Sequence, residues 1–211
     1  AAAGSGDLYA ALARESFGGD RARAKIALLG AMYGQTGGEA APALAVLRRS
    51  YPTAYGYVEA AARTGEGGGL VRSWLGRTCP PPSVSVREPE DGTVPAGTED
   101  PFRPRDRAAA RARGRFTRNF VIQATAAEWA LTLLAVLRGR LAELAAPRSG
   151  APEIVFFQHD EVLVHCPAEL ADRVAAAMRQ AAAEAGRLLF GDTPVRFPLD
   201  VSIVDCYADA T

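Results

Sequence analysis

The sequence predicts an α+β fold in which a small antiparallel sheet packs on long helices. Three observations predict it. Apolar residues recur with helical spacing from about Asp106 to Leu144, the longest such pattern in the chain. Ile154 to Phe157 and Val162 to Val164 are β-branched or aromatic-rich and too short for helices. Pro167 to Leu189 is then amphipathic and Phe197 to Val204 alternates apolar with polar, so the second half reads helix, strand, strand, helix, strand.

With 211 residues, 48% of them hydrophobic, the chain suits one ordinary domain or two small subdomains, and disorder throughout is excluded. No run approaches the apolar length of a membrane span, so no membrane association is expected. Ala1-Ala2-Ala3-Gly4-Ser5-Gly6 lacks a basic segment and an initiator methionine, and reads as the start of an excised piece. Cys79, Cys166 and Cys206 are an odd, widely spaced set that suits a reducing, cytoplasmic compartment. A zinc site from Cys79, His165 and Cys166 lacks any CxxC spacing. Nothing indicates oligomerisation.

Net charge is zero, yet Arg103, Arg105, Arg107, Arg111, Arg113, Arg115 and Arg118 crowd one stretch, so the sum does not exclude a polyanionic partner. Of the 24 basic residues only Lys25 is lysine. Its retention hints at a place where a compact ammonium is wanted instead of a planar guanidinium.

Residues 1–78 read as helical. Asp7 to Ser16 forms the first helix, with Asp7 as N-cap, and Gly18-Gly19 ends it. Asp20 caps a second helix from Arg21 to Tyr33 that stops at Gly34. Arg21, Lys25, Leu29 and Tyr33 recur every four residues and form one winding stripe, cationic near the N-terminus and apolar or aromatic beyond. Such a stripe suits a nucleotide, because cations and the positive end of the helix dipole would face phosphates. The plainer reading is an amphipathic helix whose cations are solvated. Glu39 to Leu47 and Thr53 to Arg63 are further helices, and Val71 to Arg77 a short hairpin arm.

Residues 79–106 are rich in Pro, Gly, Ser and acid without periodicity, and read as a long loop. Residues 107–211 hold the α+β portion. On its long helix Arg107, Arg111, Arg115, Asn119 and Gln123 again follow every four residues. Arginine, then amide, along one face resembles a reader of backbone phosphates and base edges, and the plainer reading is a solvated arginine face. Pro147 to Pro152 is a loop. In the hairpin that follows, no Asn-Gly or Gly-Gly separates the strands, so a connection looser than a tight two-residue turn is expected over Gln158 to Glu161. Carboxylates on stiff strands suit a hard cation, since Mg²⁺ takes one or two of them and completes its shell with water and phosphate. The alternative is a solvated polar turn. In the last long helix Leu170, Val174, Met178 and Leu188 are the core candidates.

Taken in register, Arg21-x3-Lys25-x7-Tyr33-Gly34, Arg115-x3-Asn119-x3-Gln123-x-Thr125-Ala126-Ala127-Glu128 and His159-Asp160-Glu161 resemble the motifs of family A DNA polymerases, in the same order. More narrowly, the chain is similar to actinobacterial proteins that combine 3′–5′ exonuclease and DNA polymerase. The resemblance implies a helical fingers subdomain over 1–78, a palm over 107–211 and templated transfer of a nucleotide from dNTP to a primer 3′-hydroxyl. It implies that Arg21, Lys25, Leu29 and Tyr33 bind the nucleotide, with Lys25 also giving a proton to departing pyrophosphate. Arg115, Asn119, Gln123 and His159 would contact primer–template DNA. Asp160 and the adjoining Glu161 would be catalytic carboxylates holding metal, Asp160 foremost. Two Mg²⁺ ions are implied, with one carboxylate ligand missing from this chain, so these residues alone are expected to be inactive. A cytoplasmic, nucleoid-associated location follows from the DNA partner.

The chain departs from the family at several points. Leu29 stands where an aromatic residue is usual, Ala22 replaces an arginine, and Ala124 replaces a glycine. Neither Asp7 nor Asp20 follows an apolar strand, as the family's other metal-binding aspartate does. Leu29 and Ala22 favour a rival class, a nucleic-acid clamp that has lost polymerase chemistry. A third class is a metal-dependent phosphohydrolase built on the acidic hairpin.

Overall fold

A computed structural model describes residues 7–34, 37–38, 40–81, 107–145 and 150–210. The Pro/Gly/acid-rich stretch from 82 to 106, the segment 1–6 and Glu39 lie outside the described residues. Mostly helical, with one small antiparallel sheet among the described residues, the chain has the expected α+β fold. It divides into two compact units, one of residues 9–125 and one of residues 1–8 with 126–211.

The first unit holds α1 (Leu8–Ser16), α2 (Arg21–Tyr33), α3 (Ala40–Ser50), α4 (Pro52–Glu66) and the opening half of α5 (Arg107–Leu144). Asp20 caps α2 as its sequence demands: it sits in extended backbone and its carboxylate accepts from the Arg23 N–H at 2.9 Å. Gly34 ends the helix with φ +70°, a left-handed conformation that favours glycine, and its N–H donates to Gly30 O. Alanines at 24, 27 and 31 bury one face of α2 against Leu12, Phe17, Leu44 and Leu47, because small residues let helices approach closely. The opposite face carries the Arg21, Lys25 and Tyr33 side chains. Val71 to Cys79 forms the expected arm: Cys79 N–H donates to Val71 O and Ser73 N–H to Arg77 O around a turn at Trp74-Leu75.

Two close approaches seat α4 on α5. A Cβ on Gly65 would meet the Thr117 side chain, with Cγ2 at 2.7 Å, and a Cβ on Gly114 would come within 3.0 Å of Ala62 O. Thr117 is fully buried and its hydroxyl donates to Ala61 O at 2.9 Å, which holds the crossing. Gly65→Ala should therefore destabilise this unit by roughly 1–3 kcal/mol through overpacking. A thermal or urea melt checks it, and the penalty should shrink in a Thr117→Ala background; additive losses would place the strain elsewhere.

In the second unit the later half of α5 packs on α6 (Ala171–Phe190) through Leu133, Leu137 and Leu141 against Val174, Met178, Ala181 and Ala185. Their exposed flank is tied by Arg140, which bonds Gln180 at 2.8 Å and Glu184 at 2.6 Å. Leu170 and Val174 are buried as expected, but Leu188 is 56% exposed, since it falls off the stripe that Ala181, Ala182 and Ala185 continue into the core. The strand expected over Phe197 to Val204 is also absent: among the described residues the sheet has two strands, β1 (Glu153–Gln158) and β2 (Glu161–His165). The alternation survives without a ladder. Phe197 stacks on Trp129 and Phe190 with ring centroids 5.5 and 5.2 Å apart, and Leu199 and Val201 face the same core. Side-chain packing holds this segment in place, with no ladder of backbone hydrogen bonds to it among the described residues.

Contrary to the expectation that no run approaches the length of a membrane span, α5 has such a run. Within α5 an 18-residue window is long and apolar enough to cross a membrane by composition, because Ala, Leu and Val outweigh its isolated polar residues. In this fold Leu133, Leu137 and Leu141 of that helix are buried in a protein core.

Candidate nucleotide and primer–template site

The expected site residues fall on three elements. On α2, Arg21, Lys25 and Tyr33 are exposed and Leu29 is half-buried, so the stripe lies along an accessible face. Both cations converge on one ring: Arg21 Cζ lies 5.5 Å and Lys25 Nζ 5.9 Å from the centroid of Tyr9 on α1. No spacing within α1 marks Tyr9 in the sequence. The C-terminal end of this stripe lies beside the second one. A Cβ on Gly34 would sit 2.8 Å from Cγ of Arg115, so the aliphatic stem of Arg115 runs over the helix terminus.

Along α5, Arg107, Arg111, Arg115 and Gln123 are exposed and Asn119 is half-buried. The Asn119 Oδ1 atom is buried without a hydrogen-bond partner, an acceptor that a bound N–H or water could satisfy. Arg118, one position off the stripe, behaves differently. It is 7% exposed, pairs with Glu59 on α4 and donates to Ala31 O on α2 at 3.1 Å. It is therefore a structural arginine that joins three helices. Its one signal in the sequence is that it shares the helix face of the buried Thr117, Val121 and Ala124.

The hairpin tip is tighter than expected. Gln158 pairs with Glu161, leaving His159-Asp160 as a two-residue loop, and His159 takes φ +60° in place of the missing glycine. Histidine is among the residues enriched in that region, and the strain costs on the order of 1 kcal/mol. His159, Asp160 and Glu161 are all exposed. Glu161 accepts a hydrogen bond from the Tyr207 hydroxyl at 2.9 Å, and that bond pushes the phenol above its ordinary range. Tyr207 too went unmarked in the sequence, because it lies 46 residues away.

Among the described residues no three His, Cys, Asp or Glu side chains gather closely enough to cage a metal. The Asp160–Glu161 pair fits a hard cation that takes most of its ligands from water and substrate phosphate, and does not fit a closed protein site. Cys79 is buried beside Val71 and Val121, and burial raises its thiol, opposed by Arg113; it belongs to the core.

The fold that positions these elements is polymerase-like. Over 93% of its length the chain superposes, at a TM-score of 0.64 and 18% identity, on the POL domain of Pol1 from M. smegmatis in complex with DNA primer-template and dNTP. It spans 33% of that chain. No protein-family model matches the sequence, and no curated protein matches it significantly.

Proposed function

We propose that this chain is the fingers-and-palm portion of a family A DNA polymerase, which adds nucleotides from dNTP to a primer 3′-hydroxyl under direction of a template. The single observation that carries the reading is likeness to a polymerase domain over 93% of the chain, in which the three motifs present Arg21, Lys25, Arg115 and Asp160 at exposed positions. Arg21 and Lys25, one turn apart at a helix N-terminus, hold the triphosphate, where the helix dipole adds to their charge. Lys25 protonates the departing pyrophosphate. Leu29 and Tyr33 lie toward sugar and base. Arg115, Asn119, Gln123 and His159 contact primer–template. Asp160 would hold Mg²⁺, with Glu161 supporting, and the bound metal would activate the 3′-hydroxyl and offset charge on the leaving group. The protein then works in the cytoplasm, on the nucleoid.

Primer extension by the full-length protein tests the reading. Template-directed incorporation supports it. Primer–template binding without extension favours the clamp to which Leu29 and Ala22 point, and dNTP hydrolysis without extension favours a phosphohydrolase.

The DNA contacts make a separate prediction. Arg115→Ala should weaken primer–template binding alike for all sequences and reduce the slope of log affinity against log salt by about one. Fluorescence anisotropy across a salt series measures both. An unchanged slope would mean that Arg115 is only a solvated cation.

A further inference from the structure

The Tyr207–Glu161 bond has a chemical consequence for the hairpin tip. Glu161 opens β2 and is paired with Gln158, so its backbone is set by the ladder. Its Oε2 accepts the Tyr207 hydroxyl at 2.9 Å. The Tyr207 ring in turn lies against Phe156 of β1, with centroids 6.3 Å apart and planes tilted by 53°. A one-turn 3₁₀ helix, Tyr207–Asp209, sets the ring's origin, with Ala210 N–H donating to Tyr207 O. The phenol is thus anchored on one strand and bonded to the acid of the other.

We propose that Tyr207 is a positioning residue that leaves Glu161 one free carboxylate oxygen, so that the tip presents Asp160 foremost to a cation and cannot grip it through both oxygens of Glu161. The inference rests on the reading of the tip as a Mg²⁺ site. An oxygen already accepting an O–H is a poorer donor to a cation, so Tyr207 works against bidentate ligation. Ca²⁺ accepts bidentate carboxylates and six to eight ligands, whereas a small octahedral ion takes one oxygen from each. Tyr207 therefore biases the tip against Ca²⁺.

Tyr207→Phe keeps the ring against Phe156 and removes only the donor. In the full-length protein it should raise Ca²⁺ affinity relative to Mn²⁺ by about three- to tenfold, as expected when the ligand set gains an oxygen. The electron paramagnetic resonance signal of free Mn²⁺, followed with Ca²⁺ as competitor, reads the ratio, and Asp160→Asn identifies which bound Mn²⁺ belongs to the tip. The shift should vanish in a Glu161→Gln background, where the freed oxygen has no charge to offer. If Asp160→Asn removes a Mn²⁺ site but Tyr207→Phe leaves the ratio unchanged, the role of Tyr207 is overturned and the cation reading stands. If Asp160→Asn removes no Mn²⁺, the cation reading falls and this inference with it.

Discussion

Asp160→Asn in the full-length protein should lower templated primer extension by about a hundredfold or more with Mg²⁺ present, while the melting temperature stays within a degree or two of the parent. Asp160 is exposed in the two-residue loop of the hairpin, where asparagine is isosteric and buries nothing new. What it removes is charge. On the proposed reading a hard cation at this tip would draw on one or two carboxylates, so loss of one would forfeit several kcal/mol of stabilisation where charge develops. Glu161→Gln should cost less, because one of its oxygens is already engaged by Tyr207. Single-turnover extension assays, with calorimetry to certify the fold, measure both. Extension by Asp160→Asn at the parental rate would reject the two-metal assignment and make the non-catalytic clamp the better reading.

Lys25→Ala should lower the maximal rate of incorporation by about 10²-fold or more, with a smaller change in nucleotide affinity. Lys25 is exposed one turn beyond Arg21, and the two cations share the face of Tyr9, so on the proposed reading loss of one would leave the other to hold phosphate. Arg21→Ala should act in the opposite proportion, on affinity more than on rate. Lys25→Arg sharpens the distinction: a guanidinium keeps the charge but does not give up a proton at neutral pH, so binding should return and rate should not. If Lys25→Ala changes affinity alone, Lys25 binds the triphosphate and some other group protonates pyrophosphate.

The helical half of the fold is largely legible in the sequence. Asp20 and Gly34 bracket α2 by local hydrogen bonds that span three or four residues, and so their effect is readable from spacing alone. The same holds for the stripes of α2 and α5, whose faces follow from a period that every helix shares. The hairpin strands were legible too, but their turn was not: without glycine there was no signal that His159 would take a positive φ, since the ladder on either side imposes it.

Thus the sequence by itself determined the helices, the caps of α2, the two strands of the hairpin, and the exposure of Arg21, Lys25, Arg115 and Asp160. Only the tertiary structure decided which arginine is structural, that Leu188 lies outside the core and what holds Glu161. Arg118 is buried because Ala31 and Glu59 meet it across 87 and 59 residues, while Arg115, three positions earlier, stays exposed with its stem against Gly34. Leu188 lies outside the core because Ala181, Ala182 and Ala185 fill the helix face that packs on α5. Phe197 to Val201 meets α6 and Trp129 with its side chains and, among the described residues, finds no strand to pair with. The physical reason is common to all of these. A cap or a period is a property of a few neighbouring residues, whereas burial, ion pairing and strand pairing depend on a partner that the chain delivers only when it has folded.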